Sequence, residues 1–365
     1  MTERSLRGKV AVVGVGETTY YKHGQSPEPE FKLALMAILA ACADAGIDPR
    51  EIDSFASYSN DRNDPSRIAA ALGTRELRLS NMQWGGGGGG GAAAVGNAAA
   101  AIATGQAEIA VVYRALAQGQ FQRFALKFMR YMHDHGIMQE ALRAIAMASY
   151  QHAQSNPRAV MHGRPLTEEA YDASRWIAEP YHLFDCCQEN DGAAALVLVS
   201  AERARDFRHE PAYVLAVAQG SDHRNAARAF NAPDFASSSF GPVAPHLWQM
   251  AKLGPEDVDV LQSYENFTGG VLMSLTEHGF LEPEEANDFL RLENLLAPGG
   301  KLPLNTSGGN LAECYMHGLE LQIEAVRQLR GQSTAQVPDA QVAGVIAGPM
   351  VTPVSTMVLG SEETL

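Results

Sequence analysis

The chain has 365 residues, 46% hydrophobic and 19% charged, with a formal net charge of −14 at pH 7. This length suits about two globular domains, or one large duplicated domain, with a core that needs no disulfides. The acidic balance argues against nucleic-acid binding, which needs Lys and Arg to neutralise phosphates. No run of 18 apolar residues and no secretory leader pattern is present, so we expect a cytoplasmic protein without a membrane span.

The cysteine and histidine patterns predict no metal site. Four cysteines occur and none forms a Cys-x-x-Cys pair, which disfavours both a structural zinc site and a disulfide framework. The adjacent Cys186 and Cys187 are interpreted as core residues. His133-Asp134-His135 is interpreted as an exposed polar turn.

The first half of the chain alternates between predicted strands and helices. Residues 30–45 have apolar positions at helical spacing, and Gly46 follows as a stop signal. Seven glycines, Gly85 to Gly91, precede a segment made almost entirely of small residues. A helix whose side chains are small on every face has to be deeply buried, with other backbones packed closely against it. Strands are predicted over 9–15, 52–58, 109–113 and 193–199, the buried helix over 92–104 and a short helix over 202–206.

A similar order of elements begins again after residue 205. Helices are predicted over 244–253, 268–279 and 311–329, and strands over 212–218, 257–261 and, as a pair joined at Gly348-Pro349, over 342–359. An internal duplication is the economical interpretation. The predicted halves are residues 1–205, with a helical insertion at about 115–180, and residues 206–365.

Several motifs in order resemble the thiolase superfamily, in the branch related to the sterol-carrier-protein thiolases. The likeness runs from about residue 9 to residue 360 and implies a duplicated α/β fold, the α/β/α/β/α layered sandwich of thiolases. The motifs that carry it are Val10 to Thr18, Asn156-Pro157-Arg158-Ala159, Pro165-Leu166-Thr167, Cys186-Cys187, Asp191-Gly192-Ala193-Ala194-Ala195, and Asn305 with Ser307-Gly308-Gly309.

The chain departs from this family at the catalytic positions. The nucleophilic Cys of thiolases, at the start of the first buried helix, falls near Gly89. The His of the His-x-x-Phe motif is replaced by Tyr264, and the His of the Gly-His-Pro motif by Tyr315. The C-terminal Cys of some thiolases falls near Ile346. Since no nucleophile remains at these positions, a covalent Claisen route is excluded.

With these departures the chain is similar to the thiolase-like aldolases of bacterial steroid side-chain degradation, often named lipid-transfer proteins. The resemblance implies retro-aldol cleavage of a β-hydroxyacyl-CoA to a ketone and a shorter acyl-CoA. Coenzyme A would be part of the substrate, and no separate cofactor is expected. The resemblance also implies a homodimer core with a zinc-ribbon/OB-fold partner on each subunit, a heterotetramer.

Retro-aldol chemistry needs a base for the β-hydroxyl, stabilisation of an enolate, and an acid for the departing carbon. We expect Tyr264 and Tyr315 to supply base and acid, in an order that the sequence leaves open. An unperturbed phenol is only about 0.1% ionised near pH 7, so the base needs tuning or a proton relay. Backbone N–H groups of the glycine loops would form the oxyanion hole and pocket. The residues expected there are Gly88, Gly89, Gly90, Gly308 and Gly309, with Glu265, Asn305 and His317 as possible support.

Other interpretations remain open at this point. The two tyrosines could be structural, and the chain a non-catalytic scaffold or acyl-CoA-binding subunit. A residual thiolase, acyltransferase or thioesterase is disfavoured by Gly89, although Cys314 could be a displaced nucleophile. The identity of the acyl group, steroid or aromatic, is also open.

Overall fold

The computed structural model describes residues 5–22, 26–59, 61–84, 87–116, 122–221, 236–351 and 353–365. Gly85 and Gly86 of the predicted glycine loop lie outside the described residues. Within the described part, no helix is both long enough and apolar enough to cross a bilayer.

The strands alternate with helices along most of the chain. The strands are β1 (Val10–Glu17), β2 (Tyr21–Lys22), β3 (Ser54–Tyr58), β4 (Leu79–Gln83), β5 (Ile109–Leu116), β6 (Trp176–Ala178), β7 (Tyr181–His182), β8 (Asn190–Ser200), β9 (Ala212–Gly220), β10 (Val260–Ser263), β11 (Val342–Ala347) and β12 (Val354–Gly360). The helices are α1 (Glu30–Ala45), α2 (Pro65–Leu72), α3 (Gly91–Ala103), α4 (Gln122–His135), α5 (Gln139–Ser155), α6 (Glu168–Asp172), α7 (Ala201–Ala204), α8 (Ala244–Ala251), α9 (Thr268–Glu277), α10 (Ala286–Phe289), α11 (Leu292–Leu295) and α12 (Leu319–Leu329).

The order of strands in the main sheet repeats between the two halves of the chain. The order is β10-β11-β12-β9-β1-β8-β5-β3-β4. In the second half β9 lies at the junction and is followed outward by β12, β11 and β10. In the first half β1 lies at the junction and is followed outward by β8, β5 and β3, with β4 as an additional outer strand. The halves meet where β1 pairs antiparallel with β9 through Ala11 and Tyr213. This repeated order supports the predicted duplication, and the predicted division at residue 205 falls between α7 and β9.

Two buried helices lie between the halves of the sheet. Helix α3 contacts β3, β4 and β5 of the first half as well as β9 and β12 of the second. Its small residues permit this approach, because a Cβ at Gly96 would lie 2.7 Å from Val217 Cγ1. Helix α12 contacts β10 and β11 as well as β1 and β8. Helices α1 and α8 cover the outer faces, so the layers alternate as the thiolase-like fold requires.

The structure corrects the predicted helix over residues 311–329. A π-helical turn, Gly309–Glu313, is followed by extended backbone at Cys314, and α12 begins only at Leu319. Gly308 has φ +112°, Gly309 +54° and Gly318 +84°. These left-handed conformations interrupt the helix on both sides of Tyr315.

Smaller differences also follow from local geometry. The strand predicted over 257–261 begins at Val260, because Pro255–Asp257 forms a 3-10 turn. Strand β4 was not predicted, since its residues have only intermediate or full exposure. The predicted helical insertion contains α4, α5 and α6, followed by the small β6–β7 hairpin.

Candidate active site

The two tyrosines that replace the thiolase histidines lie in contact. Tyr264 follows the carboxyl end of β10, and its backbone N–H donates to the Ile346 carbonyl at 2.9 Å. Tyr315 lies in the extended segment before α12, and its N–H donates to Asn190 Oδ1 at 2.8 Å. The Tyr264 hydroxyl donates to the Tyr315 hydroxyl at 2.6 Å. The fold therefore brings together the two residues predicted to act as acid and base.

Burial sets the proton affinity of both phenols. The side chain of Tyr264 is 1% exposed, and Tyr315 is half-buried. Burial raises the pKa of each hydroxyl well above its ordinary value of 10. Their mutual hydrogen bond raises the pKa of Tyr264 further and opposes the rise at Tyr315. Both groups are neutral near pH 7, which suits proton donation and requires that any base function use a relay.

The glycine loop before α3 packs against Tyr264. A Cβ at Gly88 would lie 2.0 Å from Tyr264 Cε2, and a Cβ at Gly318 would lie 2.8 Å from Tyr264 Cδ2. The ring is therefore held between two glycine backbones. At Gly89 a Cβ would lie 2.5 Å from the Pro353 carbonyl oxygen, and at Gly90 it would lie 2.7 Å from Tyr58 Cβ.

Gly308 and Gly309 have a different place. A Cβ at Gly309 would overlap the Glu265 carboxylate, 2.0 Å from Oε2, and one at Gly308 would lie 2.9 Å from Ala153 Cβ. The contacts of these two glycines are with Glu265 and α5, rather than with the phenol rings. They form the turn that leads into the segment of Tyr315.

Asn305 fixes the strand end that carries Tyr264. Its Oδ1 accepts from the Ser263 N–H at 2.7 Å, and its Nδ2 donates to the Ser263 carbonyl at 2.8 Å. Both bonds are buried, so Ser263, the last residue of β10 and the neighbour of Tyr264, is held by Asn305 as well as by its pairing with Ile346 in β11.

The buried carboxylate of Glu265 is bound by polar groups of α5 and of the turn at Asn310. Its carboxylate accepts from the Asn310 N–H at 2.7 Å and from the Ser149 hydroxyl. Burial raises the pKa of Glu265 to about 7, although these hydrogen bonds oppose the rise. Glu265 therefore fastens the loop that carries Tyr264 to Asn310 and to Ser149 of α5.

His317 contacts Tyr315 through its ring. The two rings are edge to face with centroids 5.0 Å apart, and His317 Nδ1 lies 3.2 Å from an Arg114 nitrogen. Burial and the Arg114 charge lower the pKa of His317 well below its ordinary value. A neutral imidazole beside Tyr315 can shape the site, but it does not supply a proton near pH 7.

A cavity of about 320 Å³ lies beside the segment that contains Cys186 and Cys187. Tyr150, Met161 and Phe184 contribute to its largely apolar wall, and the exposed Arg175 also lines it. Cys187 lines the cavity and forms a hydrogen bond with the Tyr315 side chain. The cavity therefore neighbours Tyr315 through Cys187.

Comparison with known proteins identifies the family. A model described as thiolase C-terminal domain-like matches residues 218–361. The chain is 37% identical to the 17-hydroxy-3-oxo-4-pregnene-20-carboxyl-CoA lyase of Mycobacterium tuberculosis, over 97% of this chain and 100% of that protein. It is also 37% identical to the steroid side-chain-cleaving aldolase of Thermomonospora curvata, over 98% of this chain and 99% of that protein. The chain belongs to the thiolase-superfamily aldolases.

A solved structure agrees with this membership. The Ltp2-ChsH2(DUF35) aldolase superposes with a TM-score of 0.93 at 37% identity, over 99% of this chain and 100% of that one. The predicted thiolase fold and the predicted likeness to steroid-degrading aldolases are both confirmed.

The cysteines of this aldolase lie in settings that keep them as thiols. Burial raises the pKa of Cys314 and of Cys187 well above the ordinary value. Cys314 is fully buried, while Cys186 and Cys187 are half-buried. The interpretation of the last two as core residues is therefore incomplete, because Cys187 contacts Tyr315. Neither Cys314 nor Cys187 has the electropositive surroundings that create a thiolate nucleophile.

Two further residues of the site were missed by the sequence reasoning. Asn190 holds the backbone of Tyr315, and Glu320 lies buried in the first turn of α12. The sequence offered no signal for Glu320, because the same helix also contains Gln322, Glu324, Arg327 and Gln328. As for metals, the described residues contain no group of three His, Cys, Asp or Glu side chains that could hold an ion.

Proposed function

We propose that this aldolase cleaves a steroid β-hydroxyacyl-CoA by retro-aldol chemistry, with Tyr264 and Tyr315 as the acid–base pair. The products are a ketone and a shorter acyl-CoA. The observation that carries the proposal is the 2.6 Å contact between the two hydroxyls, at the positions where the resembled thiolases have histidines. The substrate class is taken from the two relatives that match along nearly the whole chain.

The reaction moves one proton from oxygen to carbon. The Cα–Cβ bond breaks, the β-hydroxyl becomes a carbonyl, and the electron pair of the broken bond forms a thioester enolate. The β-hydroxyl proton passes to one phenol oxygen, that phenol's own proton crosses to the second, and the second delivers its proton to Cα. Both tyrosines end as neutral phenols, so the raised pKa values of the pair are compatible with catalysis.

The observed hydrogen bond favours one direction of this relay. Tyr264 donates to Tyr315, so Tyr264 would receive the substrate proton and Tyr315 would protonate carbon. The half-buried position of Tyr315, next to the cavity-lining Cys187, supports its contact with the acyl chain. Backbone N–H groups of Gly88 to Gly90 would stabilise the enolate oxygen, as one such donor is worth about 2.7–4 kcal/mol.

We further infer a cytoplasmic heterotetramer, in which a homodimer core carries a zinc-ribbon/OB-fold partner on each subunit. The support is the resemblance of the chain to aldolases with such a partner, together with the name of the similar solved structure, which joins Ltp2 to ChsH2(DUF35). Coenzyme A enters as part of the substrate, and no separate cofactor is invoked.

The test is direct conversion of a defined substrate. The chain, with and without the protein that co-purifies with it from its host, is incubated with a steroid β-hydroxyacyl-CoA. We expect a ketone and a shortened acyl-CoA in equal amounts by mass spectrometry. The Tyr264→Phe/Tyr315→Phe double variant is the matched control. Absence of both products with the partner present would favour a non-catalytic, acyl-CoA-binding subunit.

A further inference from the structure

Glu320 is a buried acid that the proposed reaction does not use. It lies in the first turn of α12 and is 1% exposed. Its Oε2 has no hydrogen-bond partner among the described residues. A buried carboxyl with an unsatisfied oxygen is costly. Its position immediately after the Tyr315 segment therefore calls for an explanation.

The side-chain amide of Asn310 joins Glu320 to the loop that carries Tyr264. Asn310 Nδ2 donates to Glu320 Oε1. The Oδ1 of the same side chain accepts from the Glu265 N–H at 2.8 Å, and the Asn310 N–H donates back to Glu265 Oε2 at 2.7 Å. Since Glu265 directly follows Tyr264, Asn310 ties the backbone of the first catalytic tyrosine to Glu320.

Glu320 also interacts with the segment of Tyr315. The backbone N–H of Met316, the residue after Tyr315, stabilises the carboxylate of Glu320, as does the N–H of Glu320 itself. The charge of Glu320 also acts on both phenols, raising the pKa of Tyr264 and of Tyr315. Glu320 is therefore joined through one amide to the backbone beside Tyr264, and it lies in the helical turn that begins four residues after Tyr315.

Resting on the proposed function, we propose that Glu320 is a positioning residue. Through Asn310 it holds the loops of Tyr264 and Tyr315 at the separation that proton transfer between the two hydroxyls requires. The reacting groups are on separate loops, and a misplacement of about 1 Å can cost about 10²-fold in rate.

Ionisation of Glu320 would disturb this arrangement. Burial raises the pKa of Glu320 to about 8, against the stabilising N–H groups. The titratable groups that act on it or feel its charge are mostly acids and phenols, so a negative charge here is repelled. They are Glu313, Glu265, Tyr58, Cys314, Tyr264 and Tyr315. We expect turnover to fall on the alkaline side as Glu320 ionises.

The experiment compares Glu320→Gln, Glu320→Ala and the control Glu324→Gln. Glu324 is a buried acid one turn further along α12, and its Oε1 accepts from the Thr306 hydroxyl at 2.7 Å. For Glu320→Ala we expect kcat to fall by about 10-fold or more with KM little changed, since geometry rather than binding is lost. Glu320→Gln should keep kcat within about threefold at pH 7. Its kcat should not show the decrease that we expect for the native protein near pH 8. The control should follow the native pH profile.

A spectroscopic readout separates this proposal from the reaction itself. With 13C-labelled tyrosine, the Cζ resonances of Tyr264 and Tyr315, assigned from their Phe variants, should shift between pH 6.5 and 9.5 with a midpoint of about 8. This transition should vanish in Glu320→Gln and persist in Glu324→Gln. Its persistence in Glu320→Gln, or native kcat and pH profile in Glu320→Ala, would overturn the role of Glu320. Absence of cleavage by the native protein, with the transition present, would instead count against the proposed function alone.

Discussion

The backbone of Gly88 lies directly against the ring of Tyr264. A methyl group at Gly88 would lie 2.0 Å from Cε2 and 2.4 Å from Cζ of this ring. The ring has little room to move, because Gly318 packs against it as well. A Cβ at Gly318 would lie 2.8 Å from Cδ2 of the same ring. The glycine loop thus determines where the phenol of Tyr264 can lie.

Gly88→Ala should therefore damage the site. Displacement of the phenol should reduce kcat by about 10²-fold, and overpacking should lower the free energy of unfolding by about 1–3 kcal/mol. The control is Gly299→Ala, where a Cβ would meet no atom within 4 Å. Steady-state kinetics and thermal unfolding measure the two effects. Native turnover in Gly88→Ala would mean that the loop can move aside without cost.

Removal of either phenol hydroxyl should reduce turnover with little loss of stability. One acid–base group is worth about 10²–10⁴-fold, and Tyr264→Phe and Tyr315→Phe each remove only an oxygen. Because the proposed relay needs both hydroxyls, the double variant should be hardly slower than the poorer single variant. Tyr181→Phe is the control, since the Tyr181 hydroxyl is buried without a hydrogen-bond partner in the described residues. If both single variants turn over normally, the acid and base lie elsewhere.

The fold was predicted best where local signals are strong. Helix α1 has the predicted bounds, because its apolar spacing ends at Gly46, which adopts the left-handed C-cap conformation. The helix predicted over 311–329 was wrong because the sequence pattern carries no information on contacts such as that between Asn310 and Glu265, which are 45 residues apart. Strand β4 was missed because it has no buried face that would create an apolar alternation.

The site was predictable only in part. The resemblance pointed to Tyr264 and Tyr315 because they replace family residues, and the structure shows them in contact across 51 residues of chain. The sequence predicts a core position for Cys187, because two adjacent cysteines lack the spacing of metal ligands and nothing nearby in the sequence indicates another role. Its contact with Tyr315 depends on how distant segments pack, which single-sequence patterns do not report.

The cysteines should not form an acyl-enzyme. Cys314 is fully buried and Cys187 has a raised pKa, so neither supplies a thiolate near pH 7. We expect Cys314→Ala to retain turnover within about threefold and to lose about 1 kcal/mol of stability from the small cavity. Intact-protein mass spectrometry during turnover should show no acyl adduct, and an adduct on any cysteine would restore the thiolase-like route.

The stability of the protein should fall on the alkaline side. Burial raises the pKa of Glu265 to about 7 and of Glu313 and Glu320 to about 8. Between the ordinary value of 4.5 and these values the folded chain binds more protons than the unfolded chain, so stability is lost as pH rises. Burial lowers the pKa of His152 and His278 to about 4, which acts in the opposite direction but only below pH 6.5.

The melting temperature should therefore decrease from pH 6.5 to pH 8.5. Glu313→Gln removes one group that has to ionise while buried, so its decrease should be smaller than that of the native chain. Glu202→Gln, at an exposed position, should show the native slope. Equal slopes for all three proteins would mean that Glu313 ionises as readily in the folded chain as in the unfolded chain.

We expect the homodimer proposed above to form through the sheet edge at β4. Among the described residues β4 is the outermost strand on its side, and an open edge is a template for pairing with another chain. Met82 and Trp84, at the end of this strand, are 37% and 77% exposed, which is unusual for large apolar side chains unless a partner covers them. We expect the native chain to sediment as a dimer and the Met82→Lys/Trp84→Glu double variant to sediment as a monomer.

The control is Trp176→Glu, which changes an exposed tryptophan on the β6–β7 hairpin and should remain dimeric. A dimer that survives the double substitution would place the interface on another surface.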